Sequence, residues 1–344
     1  MRQEKPEQAL RRGWTTGACA TAATKAALTA LLTGAFPDPV EINLPKGQKV
    51  SFALALEERG EGWARAGIIK DAGDDPDVTH GAMLISRVRL LPQAVVFKAG
   101  QGVGTVTKPG LPIAVGEAAI NPVPRRMMEE VAKELATGAE IEISIPGGEA
   151  LAEKTWNPRL GIVGGLSVLG TTGIVNPFSC SAWIASIHRG IDVARAMGLS
   201  HVAGCTGSTS EDAVRGHFKL PLEAMLDMGD FAGGLLKYLR LHPVPRVTIG
   251  GGFGKIAKLA QGAMDLHSGR SQVDFAWLAQ RCPEDMRPRV LAANTAQEVL
   301  EIAGAGLAQQ VAREARDHVT AFLGEVSQAD VIIVGRDGTI IAHA

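Results

Sequence analysis

The run Leu160–Ile187, LGIVGGLSVLGTTGIVNPFSCSAWIASI, carries no charged residue and constrains the fold more than any other stretch. Its length invites a bilayer span. Gly161, Gly164, Gly165, Gly170 and Gly173 argue against one, because glycine costs backbone entropy in a helix, and Asn176-Pro177 breaks the run before a spanning length. The alternative is a buried strand over Gly161–Gly165 and a glycine loop bearing Thr171 and Thr172. A helix would follow, with Pro177 in its first turn, reaching about Met197. Strand, glycine loop and helix, in that order, turn backbone N–H groups toward an anion in α/β proteins. A tightly packed turn without a ligand competes with this reading.

The rest of the chain is long enough for two domains, at 344 residues. Aromatics make up 4% while glycine numbers 41, so the core must come from Ala, Leu, Ile and Val with close backbone approaches. Lys+Arg 35 balance Asp+Glu 36, which offers no global electrostatic case for nucleic acid. Cys19, Cys180, Cys205 and Cys282 form no C-x-x-C pair, which speaks against a zinc knot or a disulfide framework. The first residues, MRQEKPEQALRRG, lack an apolar signal core. The expectation is a cytoplasmic protein with reduced thiols and no membrane partner, its residues 1 to 12 frayed.

Residues 1–150 read as an α+β domain. GWTTGACATAATKAALTALLTG gives a turn at Thr15-Thr16-Gly17 and an alanine-rich helix from about Ala18 to Leu32, closed by Gly34. VEINLP, VSFALALEE, WARAGIIK, RVRLL, AVVFKAG and AEIEISIPGG read as strands, and PVPRRMMEEVAKELATG as a helix. Residues 151–344 alternate strand and helix, which predicts an α/β domain with a mostly parallel, Rossmann-like sheet. There LGIVGG, HVAGCTG and RVTIGGG are strands that end in glycine, and ADVIIVGRDGTIIAHA turns at Asp337-Gly338. Ligands in such sheets sit beyond the carboxyl ends of the strands.

Several groups could carry chemistry. VTIGGGFGKIAK is not a P-loop, since Ile256 stands where a magnesium-binding hydroxyl belongs. It does place Gly250, Gly252 and Gly254 between a branched strand and a helix, with Lys255 able to neutralise a carboxylate. Asp71, Asp74, Asp75 and Asp77 crowd one loop. They could bind a divalent cation, cap turns, act as a base, or hold ribose hydroxyls. His267 is a candidate acid/base, although a lone histidine is more often structural. No histidine pair has metal-ligand spacing, and no metal is expected. Cys19, at a helix start, reads as a packing residue beside small neighbours.

Taken together, GWTTGACATAATKAAL, KDAGDDPDVTHG, GQGVGTVTKPGL with GEAAINPVP, IEISIPGGEALAEKTWNPRLGIVGGLSVLGTTGIVNPFS, and GFGKIAKLAQG with His267-Ser268 resemble the CbiD-type cobalt-precorrin-5B (C1)-methyltransferases. The resemblance implies methyl transfer from S-adenosyl-L-methionine to carbon 1 of a tetrapyrrole substrate in cobalamin biosynthesis. On that reading Asp75 and His267 are the catalytic candidates. Asp71, Asp74, Gly170, Thr171, Thr172, Gly173, Gly250, Gly251 and Gly254 would hold the donor. Thr15, Thr16, Lys108 and Lys255 would hold the substrate, which neighbouring pathway enzymes could hand over. A homodimer is left open. The chain departs from the family pattern at Gly204-Cys205, Gly252 and Asp265-Leu266, which leaves open whether the macrocycle carries cobalt. A non-catalytic tetrapyrrole-delivery protein is the alternative.

Overall fold

The computed structural model describes residues 10–135 and 138–344 and divides the chain into two compact units, Met1–Ser179 and Cys180–Ala344. The division falls later than residue 150 because the uncharged run is stitched into the first unit. Its Ile162–Val163 pairs antiparallel with Thr105–Val106, and its Ile174–Val175 pairs antiparallel with Gly13–Trp14. The expected buried strand over Gly161–Gly165 is therefore a two-residue strand, with Val163 60% exposed, and it does not open the parallel sheet. The following helix starts at Cys180, not at Pro177, and ends at Ala196.

The first unit is built on the helix Thr16–Thr33. Thr15 caps its start by accepting the Ala18 N–H at 3.2 Å. Gly34 ends it in the left-handed region at φ 85°. Alanines 18, 20, 22, 23, 26 and 27 are fully buried, so the helix is enclosed on several faces. Residues that small let neighbouring backbones come close. The helix packs on a five-stranded sheet ordered Leu56–Gly60, Trp63–Ile69, Met83–Leu91, Gly138–Ser144, Val95–Ala99. All pairs in that sheet are antiparallel except the last. The hydroxyls of Thr24 and Ser86 bond each other at 2.8 Å in the core between helix and sheet.

Residues 1–9 of the stretch expected to fray lie outside the described residues, while Arg11 is held: its guanidinium grips the Asp71 carboxylate and its N–H donates to Asp74 Oδ2 at 2.6 Å.

The second unit carries a mixed sheet of five strands, ordered Met225–Asp227, His201–Cys205, Arg246–Gly251, Gln328–Val334, Ile340–His343. Only the last pair is antiparallel, so the sheet is mostly parallel. Counted along the chain, the order is 2-1-3-4-5. The connections out of His201–Cys205 and out of Arg246–Gly251 leave toward opposite edges, which opens a crevice at their carboxyl ends. The short strand Met225–Asp227 escaped the sequence reading. The helix Ala296–Leu323 breaks at Gly304, whose φ is 72°.

Candidate functional site

In the first unit, three loops close around the start of the helix Thr16–Thr33. The Thr16 hydroxyl accepts the Leu169 N–H at 2.8 Å, and the Gly17 N–H donates to the Leu169 carbonyl at 2.9 Å. The Thr15 N–H donates to the Gly173 carbonyl at 3.0 Å. The Thr172 hydroxyl accepts the Ile174 N–H at 3.2 Å, and Thr171 is exposed. A Cβ on Gly13 would sit 2.0 Å from the Ala72 carbonyl carbon, so this ring closes only with glycine there. Lys108 lies with its stem against Gly161.

The aspartate loop spends its charge inside the same ring. Asp71 also accepts the Gly73 N–H at 2.9 Å. The Arg11 guanidinium first, then that N–H, hold the Asp71 carboxyl down to about 2. Asp75 accepts the Phe178 N–H at 2.8 Å through Oδ1. Asp77 meets the Lys70 ammonium at 2.6 Å and the Thr79 N–H at 2.7 Å. Burial raises the Asp77 carboxyl, but Lys70 and Thr79 outweigh it and hold it below its ordinary value. Lys70 is 1% exposed. Burial pushes the nearby Cys19 thiol up to about 12, against the opposing pull of Lys70, so Cys19 is a packing residue and not a thiolate. Asp71, Asp74 and Asp75 thus anchor segments distant in sequence while Asp77 ties its own loop together, and no group of carboxylates, histidines and cysteines suited to a metal occurs among the described residues.

In the second unit the glycines after Arg246–Gly251 divide into two kinds. Gly250 and Gly251 are buried; a Cβ on them would meet Val214 at 2.7 Å and Thr206 at 2.8 Å. Packing accounts for those two. Gly252 faces open space and starts the helix Phe253–Ala260 without a side-chain cap. That start borders a cleft of about 330 Å³ at the carboxyl ends of two parallel strands, lined in part by Gly254, Lys255, Lys258, Thr295 and Arg336. Lys255 Nζ pairs with Asp230 and donates to the Leu266 carbonyl at 3.1 Å. Lys258, 6% exposed, donates to the same carbonyl at 3.0 Å. Burial, then the charge of Lys255, pull the Lys258 ammonium below its ordinary value. His267 is exposed, and its Nδ1 accepts the Gly269 N–H at 3.1 Å. The neutral ring therefore keeps its proton on Nε2 and can only donate there.

Three residues at this end escaped the sequence reading. Arg336 rides the turn of the final hairpin and makes no hydrogen bond or ion pair with a described residue. Asp227 ends the strand next to His201–Cys205. The Trp183 indole is 45% exposed and donates through Nε1 to the Asp227 carbonyl at 2.9 Å. One signal was available: an acidic residue closing the second strand, after a glycine loop that follows the first, is how doubly wound sheets hold a ribose.

Similarity to known proteins follows the same division. The CbiD family model matches residues 3–177, and the model of the CbiD C-terminal domain matches residues 265–344. The cobalt-precorrin-5B C(1)-methyltransferase of Brucella anthropi is 62% identical over 358 residues, covering 99% of this chain and 97% of the relative. The protein of the same name from Paramagnetospirillum magneticum is 62% identical over 354 residues, covering 98% and 99%. A crystal structure of a cobalamin biosynthesis protein (cbiD) from Archaeoglobus fulgidus is 27% identical, covers 76% of this chain and 83% of that one, and superposes with a TM-score of 0.38. The family models and the near-complete span of the relatives agree: this chain belongs to the CbiD family.

Proposed function

We propose that the chain transfers a methyl group from S-adenosyl-L-methionine to carbon 1 of cobalt-precorrin-5B, a step of cobalamin biosynthesis. The carrying observation is the 62% identity, over almost the whole chain, to relatives named for that activity. In such a transfer a ring carbon attacks the sulfonium methyl in line. The new carbon–carbon bond forms as the sulfur–carbon bond breaks, sulfur keeps the electron pair, and the ring sheds a proton. The enzyme's task is alignment and the exclusion of water.

The mostly parallel sheet of the second unit supports a Rossmann-like placement of the donor at its carboxyl-end face. Thr206 and Gly207 follow the first strand and Asp227 closes the second, which suits a ribose, while the exposed indole of Trp183 suits stacking of a base. Gly254, at the start of the helix Phe253–Ala260, lies in a cleft with Lys255, Lys258 and Arg336, whose positive charge disfavours the cationic donor there. Asp71, Asp74, Gly170, Thr171, Thr172 and Gly173 are the weaker donor candidates, since most already bond protein groups. Asp75 keeps Oδ2 without a partner among the described residues and is our candidate to accept the ring's proton. His267 is the candidate to donate a hydrogen bond through Nε2. We further place the protein in the cytoplasm, receiving its tetrapyrrole from a neighbouring pathway enzyme; no helix among the described residues is long and apolar enough to cross a membrane.

The test is turnover with labelled S-adenosylmethionine and cobalt-precorrin-5B, read by mass spectrometry, beside calorimetry with S-adenosylhomocysteine. Labelled product with saturable binding is the expected result. A protein that binds tetrapyrrole but neither binds the homocysteine analogue nor labels product is a delivery protein. Asp75→Asn keeps the acceptor for Phe178 and should lower turnover at least tenfold; unchanged turnover removes Asp75 from the mechanism.

A further inference from the structure

We propose that the cleft beside Gly252–Lys255 is a carboxylate-binding subsite for the acidic side arms of the tetrapyrrole, with Arg336 as its gripping residue. The proposal rests on the methyl-transfer reading above and assigns one part of it to named residues.

The cleft is shaped for an anion from three directions. Lys255, Lys258 and Arg336 bring positive charge to its lining, and two helices begin there, Phe253–Ala260 and Ala296–Leu323. A helix start presents unpaired N–H groups and the positive end of its dipole. At Ala296–Leu323 the Thr295 hydroxyl already accepts the Glu298 N–H at 3.1 Å, so the open donors are those of Phe253–Ala260. Gly252 has no side chain to cap the first helix, so nothing of its own satisfies those donors. A Cβ on Gly254 would lie 3.2 Å from the Ala296 Cβ, which brings the two helix starts side by side.

The carboxylates nearby are committed elsewhere. Asp230 pairs with Lys255, Asp265 with Arg270 at 2.5 Å, and Glu298 accepts the Asn294 N–H at 2.8 Å. Gln297 Nε2 holds Glu301 at 3.1 Å. Asp337, next to Arg336, accepts the Thr339 N–H at 3.0 Å and its hydroxyl at 2.9 Å. Those bonds and the Gly335 N–H to Thr339 carbonyl bond at 2.8 Å fix the turn that presents Arg336. The guanidinium fork is left for a ligand, and its geometry matches a carboxylate in two parallel hydrogen bonds.

The methyl donor is a poor fit. Its sulfonium and ammonium outnumber its one carboxylate, so the positive charge of Lys258 and Arg336, left over after Asp230 pairs Lys255, repels it, whereas a polyacid ring is drawn in.

The experiment uses the full chain and uroporphyrin, a stable tetrapyrrole bearing eight carboxylates, followed by fluorescence quenching, with S-adenosylhomocysteine calorimetry in parallel. Arg336→Ala should raise the uroporphyrin Kd about tenfold or more, the loss of a charge-assisted bidentate contact. Arg336→Glu should raise it further, and Arg336→Lys should recover part of the affinity. The homocysteine analogue should bind all four proteins alike. Uroporphyrin that does not bind the native chain, or binds Arg336→Glu as tightly as the native chain, overturns the proposal. So does an Arg336→Ala variant that loses S-adenosylhomocysteine instead, since the cleft would then hold the donor's carboxylate. A native chain that binds uroporphyrin with the expected variant series but never binds S-adenosylhomocysteine sinks the methyl-transfer reading and keeps the carboxylate cleft.

Discussion

Around the LGTTG turn of the first unit, the hydroxyls of Thr15, Thr16 and Thr172 and the carboxylates of the aspartate loop are bonded to protein. Around the GGFGK turn of the second unit, a helix start and a guanidinium face a cleft. Both turns are glycine-rich, and the difference lies in what the missing side chains make room for. In the first unit they admit protein side chains, Thr15 at Gly170 and Leu44 at Gly173. At Gly252 they admit nothing from the protein. Glycine count alone does not separate a knot from a site; the fate of the neighbouring polar groups does.

The comparison breaks most easily at single glycines. Gly13→Ala should cost more than about 4 kcal/mol or abolish soluble expression, because its Cβ would overlap Ala72 backbone, while Gly252→Ala should stay within about 0.5 kcal/mol. Thermal melts decide it, and equal losses would erase the distinction.

The lysines come next. Lys70→Ala strands Asp77 beside a buried gap and should cost about 3–5 kcal/mol by urea titration. Lys255→Ala, at a side chain 33% exposed, should cost about 1 kcal/mol or less.

Acid should separate the units by a smaller margin. Burial first, and Arg246 second, hold His201 below its ordinary value, so the unfolded chain takes up the proton before the folded one. Stability of the second unit therefore falls as pH drops below about 6.5. Asp71 titrates near 2 in the fold, so its contribution stays in place above the ordinary carboxylate range and is lost only from about pH 4 downward. Its half-exposed setting keeps that contribution below about 1 kcal/mol. Hydrogen exchange at about pH 7 and about pH 5.5 should show loosening in His201–Cys205 and none near Trp14. The slightest effect is chemical: iodoacetamide near neutral pH should label exposed Cys180 and spare Cys19 in the folded protein.

Local chemistry made much of the fold legible. Thr15 and Gly34 bracket the alanine helix as their types demand, and the strand–helix alternation announces the parallel sheet. Partners distant in sequence were not legible. Four aspartates in one loop suggested a ligand because the partners of three of them, Arg11 for Asp71 and Asp74 and Phe178 for Asp75, come from other segments. The two-residue strands that hold the uncharged run carry too little pattern to register. Arg336 reads as an ordinary hairpin residue until the sheet brings its turn to the helix starts. The break at Gly304 left no signal, since glycine also occurs at Gly306, where the helix continues.

The pairing of Arg246–Gly251 with Gln328–Val334 spans the whole intervening helical segment. Such a closure carries a large entropic cost early and returns its contacts late, which slows folding. Gly252–Lys255 lies just past one of those strands and Arg336 just past the other. The binding cleft therefore comes into existence only when the most widely separated strand pair of this sheet closes, so a ligand that grips both sides would reward only chains in which that pair has formed.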